Sequence, residues 1–130
     1  TYGPPLPVSP INSVRSVLDY GVSQIPAEKI LMGMSNYGYD WKLPFVQGES
    51  KAEKLTNYQA LARAEYYGVS VEYDEEAQAP FFTYTAPDGS GHIVWFENEQ
   101  SWLARLALVS EYSLAGISIW NVMHIFYGGI

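Results

Sequence analysis

Lys29-Ile30-Leu31-Met32-Gly33-Met34-Ser35-Asn36-Tyr37-Gly38-Tyr39-Asp40-Trp41 is the stretch on which the fold turns. Its first part is a short apolar run with no polar alternation. That is the pattern of a strand covered on both faces, as in a parallel sheet. From Asn36 to Trp41 the chain becomes dense in rings and hydrogen-bonding groups, which reads as a loop. In strand-and-helix proteins ligands gather where strands end and loops begin, so this junction is the first candidate site.

Upstream, Ser9-Pro10 reads as a helix cap followed by proline at the first helical position. Ile11, Val14, Val17, Leu18, Val22 and Ile25 then keep helical spacing. Arg15 and Asp19, four apart, can pair on the wet side, and Pro26 closes the helix. Downstream, Lys42 to Leu55 reads as a loop. Thr56 and Gln59 have capping-box spacing at the start of a helix over Asn57–Tyr67, and Gly68 is its stop. Val69, Val71 and Tyr73 alternate with polar residues as a half-exposed strand does. Phe81–Thr85 and Ile93–Phe96, joined by Pro87-Asp88-Gly89-Ser90-Gly91, read as a hairpin. Asn98 caps a further helix with Trp102, Leu103, Leu106 and Val109 on one face, and Leu114–Trp120 is a second buried strand.

The order is therefore helix, strand, a small helix-plus-hairpin insertion, helix, strand: an α/β chain. Residues 1–41 and 98–130 read as barrel-type β/α units, and 42–97 as an α+β insertion. The 130 residues suffice for a real core. Only 16% are charged and 48% are hydrophobic, which argues against a disordered tail. A net charge of −7 without a basic cluster argues against a nucleic-acid partner. No apolar run approaches the roughly 20 residues of a membrane span, and no signal peptide is visible. There is no cysteine, so disulfides and thiolate metal sites are excluded. Aromatic residues make up 15%, a density shared by sugar-binding faces and by large cores.

Lys29–Trp41 resembles the seventh barrel strand of family 18 glycoside hydrolases, where a Gly-Ile-Pro-aromatic-Tyr-Gly pattern is common. Ser35 departs from that pattern, standing where many members have proline. Ala79-Pro80-Phe81 and the Asp88-Gly89 hairpin look like the small α+β domain that follows this strand. Leu114-Ala-Gly-Ile-Ser-Ile-Trp120 is similar to the eighth strand. Gly3-Pro4-Pro5, Pro10-Ile11, Val14-Arg15 and Val17-Leu18-Asp19-Tyr20 bring the chain nearest to the bacterial spore-cortex and cell-wall branch. The resemblance implies the C-terminal portion of a TIM (β/α)8 barrel, its last two strands, with the insertion between them. It also implies a substrate polymer containing N-acetylglucosamine, peptidoglycan or chitin, no cofactor, and a bacterial cell-wall or spore-surface location.

Family 18 hydrolyses glycosides with substrate assistance. By resemblance, the substrate's 2-acetamido oxygen attacks the anomeric carbon, and a Glu closing an Asp-x-x-Asp-x-Asp-x-Glu motif protonates the leaving oxygen. That motif does not occur in these residues, so no catalytic residue and no metal ligand is assigned, and the chain alone is expected to be inactive. Glu72-Tyr73-Asp74 and Glu97-Asn98-Glu99, the nearest acid spacings, read as solvated turn acids. What remains are binding groups. Trp120 would be the floor on which the cleaved sugar stacks, or a core residue filling the barrel end. Tyr37 could hydrogen-bond the sugar or pack in its loop. Tyr39, Asp40 and Trp41 would form an outer wall, with a turn cap as the alternative for Asp40. Asn121 would reach the cleft or cap a helix. His92 reads as exposed, and His124 has no partner at metal spacing. A non-catalytic carbohydrate-binding module is the second reading. Strands apolar on both faces need neighbours, so a homo-oligomer or association with a preceding N-terminal part is expected.

Overall fold

The structure, a computed structural model, describes residues 3–120; Asn121 and His124 lie outside the described residues. The chain runs α1 (Ile11–Gln24), a single 3₁₀ turn (Ala27–Lys29), β1 (Leu31–Ser35), β2 (Tyr37–Leu43), β3 (Glu53–Thr56), α2 (Asn57–Tyr67), β4 (Glu72–Asp74), β5 (Ala79–Thr85), β6 (Gly91–Trp95), α3 (Glu99–Glu111) and β7 (Gly116–Trp120). Two sheets result. β1 and β7 pair in parallel, with Leu31 opposite Gly116 and Ser35 opposite Trp120. The other five strands form an antiparallel sheet in the order β3-β2-β6-β5-β4.

The parallel pair has one covered face. Met32 and Met34 alternate inward against Leu18 of α1 and Trp102 and Leu108 of α3, with Ile117 and Ile119 of β7 beside them. The period of two turns Leu31, Gly33 and Ser35, with Gly116, Ser118 and Trp120, to the opposite face. That face is open at Leu31, 59% exposed, and Trp120, 64% exposed, while Ser35 is buried. The expectation of strands covered on both sides is thus met on the helix side only.

Asn36–Trp41 is not a loop. After Asn36 the chain enters β2, which runs between β3 and β6, so the antiparallel sheet starts at Tyr37 and not at residue 42. Gly38 makes this possible, since a Cβ there would lie 2.3 Å from the Trp95 carbonyl oxygen. β3 likewise replaces the end of the expected loop. The expected strand from Val69 shrinks to Glu72–Asp74, because only those residues find partners on β5. α2 packs Ala60 and Ala64 over Leu55, Phe82, Val94 and Phe96 on one face of this sheet. Trp41, Trp95, Phe81 and Tyr39 form a cluster on the other. The hairpin closes as read, with Thr85 opposite Gly91.

Helix ends follow local chemistry. The Thr56–Gln59 box is reciprocal, with both hydrogen bonds formed, and Gly68 ends α2 at φ 65°. Asn98 and Ser101 form a second box at the start of α3. α1 differs from expectation. Pro10, not Ser9, takes the cap position, and the Ile11 amide is satisfied from a distance by the Ala77 carbonyl at 2.9 Å. Arg15 pairs with Glu111 instead of Asp19, and Asp19 accepts from the Tyr112 hydroxyl, so both charges tie α1 to α3. Val17 is 70% exposed, and on α3 Leu103 is exposed while Leu108 takes the buried position.

Candidate functional site

The C-terminal ends of β1 and β7 meet at one peptide. The Asn36 amide donates to the Trp120 carbonyl at 2.9 Å, continuing the parallel ladder one step past Ser35. The Ser35 carbonyl accepts from Trp102 Nε1 at 3.1 Å. Asn36 is fully buried, whereas the Trp120 side chain stands free on the open face beside it. A ring in this position offers a flat apolar surface with hydrogen-bonding groups at its margin, which suits the C–H face of a sugar.

Tyr37, the first residue of β2, is half-buried with its ring 5.6 Å from that of Tyr39 in a T-shaped pair. The Lys54 ammonium lies 4.3 Å from its ring centre. Burial, then neighbouring Tyr39, pushes the Tyr37 hydroxyl above its ordinary range, so it remains a donor at neutral pH. Tyr37 and Tyr39 line a cleft of about 300 Å³ whose other wall is Gly3, Pro4, Leu6 and Pro7. Trp95 Nε1 holds that wall by donating to the Pro5 carbonyl at 3.1 Å.

The structure separates Asp40 from Trp41. Both sit in β2 and are buried, at 3% and 2% exposure; Trp41 lines the same cleft as Tyr37 and Tyr39, whereas Asp40 faces away from it and caps no turn. Alternation sends Trp41 into the aromatic cluster, where its ring meets Phe45 edge-on at 6.0 Å. Asp40 points to the opposite face, under α2. There Arg63 donates to Oδ2 at 2.6 Å, the Tyr84 hydroxyl donates to the same oxygen, and His92 Nδ1 lies 2.7 Å from Oδ1. His92, expected to be exposed, is therefore half-buried and stacked on Tyr84 at 4.8 Å. Hydrogen bonds to Glu53 and Asp40 raise the Arg63 guanidinium further, and burial raises the Tyr84 hydroxyl. Ser90 Oγ lies 3.1 Å from His92 Nε2, giving a hydroxyl–imidazole–carboxylate series. Ser90 Oγ also donates to Asp88 at 2.5 Å, and Asp40 is committed to Arg63 and Tyr84. The series locks the hairpin to β2.

Glu97 also departs from the sequence reading. It is not a solvated turn acid but is 2% exposed, accepting from Ser101 Oγ at 2.5 Å with Arg105 at 3.4 Å. Burial pushes its carboxyl up to about 7, with Arg105 and Ser101 pulling the other way. Arg105 also donates to the Gln78, Ser101 and Ser9 carbonyls. The cluster anchors the start of α3, from which Trp102 reaches Ser35. Glu72 is exposed as read, and Asp74 accepts from the Ala77 amide in its turn. Among the described residues no group of three or more His, Asp or Glu could hold a metal ion, and no helix is long and apolar enough to cross a membrane.

Of the sequence candidates, the structure brings Tyr37, Tyr39 and Trp41 to one cleft, sets Trp120 on the open face at the end of β7, and removes Asp40 to the interior under α2. Ser35, Asn36 and Trp102 carry no site role in the sequence reading, though the structure joins them at the strand end. The position of Ser35-Asn36 at the end of the apolar run was a signal; Trp102 gave none beyond its helical face.

The fold is thus an α/β chain with a parallel strand pair ending in an exposed indole and an antiparallel five-stranded sheet inserted between the two strands. Residues 3–124 match the family described as Glycosyl hydrolases family 18, and the chain belongs to that family. It is 45% identical over 120 residues to the Cortical fragment-lytic enzyme of Bacillus subtilis (strain 168), covering 92% of this chain and 28% of that protein. The crystal structure of the spore cortex-lytic enzyme SleL of Bacillus megaterium QM B1551 superposes with a TM-score of 0.93 at 44% identity, over 97% of this chain and 30% of that one. The chitinase of Chromobacterium violaceum ATCC 12472 superposes with a TM-score of 0.89 at 34% identity, over 98% and 38%. The chain thus spans 28% of the length of the first of these relatives.

Proposed function

We propose that this chain is the sugar-platform part of a family 18 glycosidase, the last two strands of its (β/α)8 barrel with the α+β insertion between them. In this reading the complete enzyme cleaves β-1,4-linked N-acetylglucosamine-containing polysaccharide, peptidoglycan or chitin, by substrate-assisted retaining hydrolysis. The proton-donating Glu belongs to an earlier strand outside these residues, so the 130 residues alone are inactive. Trp120 carries the sugar whose acetamido oxygen attacks its own anomeric carbon, and Tyr37 donates to it from the neighbouring strand end. Tyr39 lies behind Tyr37 as a support. Asn121 is a further cleft residue in this reading. The rest of the polypeptide covers the open face and edge of β1. A bacterial cell-wall or spore-surface setting follows from the same likeness.

One observation carries the reading: a large indole, 64% exposed, ends a strand whose partner ends in a buried turn into β2 that is tied by hydrogen bonds to Trp120 and Trp102. An exposed Trp on such a rigid support is suited to a ligand. In the complete enzyme, Trp120→Ala lowers kcat/KM on a chitooligosaccharide by about 10–100-fold, the kinetic equivalent of about 1–3 kcal/mol for a stacked ring. The melting temperature stays within about 2 °C of the parent. Unchanged kcat/KM, or a large stability loss with full activity per folded molecule, would overturn it.

A further inference from the structure

We infer that Trp102 is a positioning residue for the sugar platform, acting through the peptide that joins Ser35 to Asn36; the inference rests on the reading of Trp120 above. The Ser35 carbonyl and the Asn36 amide are the two ends of a single planar unit. One end accepts from Trp102 Nε1 at 3.1 Å, and the other donates to the Trp120 carbonyl at 2.9 Å. The two bonds oppose each other, so the orientation of this plane sets where the Trp120 backbone lies. The next residue is Tyr37, where the chain leaves the parallel pair for the antiparallel sheet. One peptide is therefore the joint between the stacking ring and the tyrosine edge.

Parallel pairing explains why the two ends of this peptide have different partners. The Asn36 amide points to β7, so the Ser35 carbonyl points away from it, and there it meets Trp102 Nε1. The indole thus holds the end of the plane that β7 cannot reach. Trp102 is itself fixed: it is 2% exposed and follows directly on the Asn98–Ser101 capping box, which Glu97 holds through Ser101 Oγ. Ser35, which stands where the family pattern has proline, leaves the backbone torsion unrestrained, and the indole hydrogen bond restrains it from outside.

The test is steady-state kinetics of the complete enzyme on a chitooligosaccharide. Trp102→Phe keeps a ring but removes the donor, and kcat falls about tenfold with KM within about twofold, as expected for a misplaced platform. Adding Ser35→Pro to that variant recovers most of the loss, because proline restores the torsional restraint by other means. If Trp102→Phe does not accumulate as folded protein, benzothienylalanine at position 102, which keeps the shape and lacks the N–H, serves in its place. Wild-type kcat per folded molecule in these variants overturns the inference and leaves the Trp120 reading standing. A parent enzyme that neither cleaves nor saturably binds the oligosaccharide overturns both.

Discussion

The two sheets of this molecule treat their faces in opposite ways. The antiparallel sheet covers one face with α2 and packs an aromatic cluster on the other, and its strand β2 buries a carboxylate with three partners. The parallel pair covers only the helix side and leaves Leu31 and Trp120 on the open face. Order in the first sheet is supplied from within, by cross-strand contacts and a satisfied polar network. In the second, the platform is held by a few long-range hydrogen bonds at its end. A site needs a rigid support and an exposed face at once, and this division provides both.

The largest expected effect strikes the self-contained sheet. Asp40→Ala leaves Arg63, Tyr84 and His92 facing each other without their anion, a loss of about 3–5 kcal/mol in unfolding free energy by denaturant titration. A loss under about 1 kcal/mol would mean that water and Glu53 replace the carboxylate, and the contrast between the sheets would weaken.

A second test addresses the anchor of α3, which serves the platform. Glu97 ionises at about 7 in the folded protein, against 4.5 for an exposed Glu. The folded state therefore keeps the proton that the unfolded state has lost. Its contribution is fully present below about pH 4.5 and is lost as pH rises through about 7, on the order of 3 kcal/mol in all. Stability measured from pH 5 to 8 falls for this reason, and Glu97→Gln flattens the curve across that window. An equally steep curve in the variant would assign the slope to another group.

The smallest effect isolates a purely local device. Thr56→Ala removes one half of the capping box of α2 and costs about 1 kcal/mol, with sugar binding unchanged. A change in oligosaccharide affinity would show that α2 and the Tyr37 edge are coupled more tightly than two separately ordered sheets allow.

The elements legible in the sequence were those whose signals lie within a few residues. Thr56 with Gln59, Gly68 and Asn98 mark helix ends by hydrogen bonds spanning three or four positions, and the Asp88–Gly91 turn fixes a hairpin. The apolar run at Ile30–Met34 marked β1 because its composition needs no partner to be read. By contrast, β2 hid inside what looked like a loop. Its alternation is of large rings against Gly38 and Asp40, and an aspartate in a strand reads as exposed until its partners are known.

The sequence by itself determined the family, the three helices, the parallel strands, the hairpin and the caps of α2 and α3, since these depend on local pattern and motif. Only the tertiary structure decided which side chains are available to a ligand. Asp40 meets Tyr84 and His92 from 44 and 52 positions away, and Trp102 meets Ser35 across 67. Trp120 and Trp41 are the same residue type, each in a strand, yet one is 64% exposed and the other 2%, packed in an aromatic cluster. What separates them is which face of which sheet the period of two assigns them, and whether anything packs there.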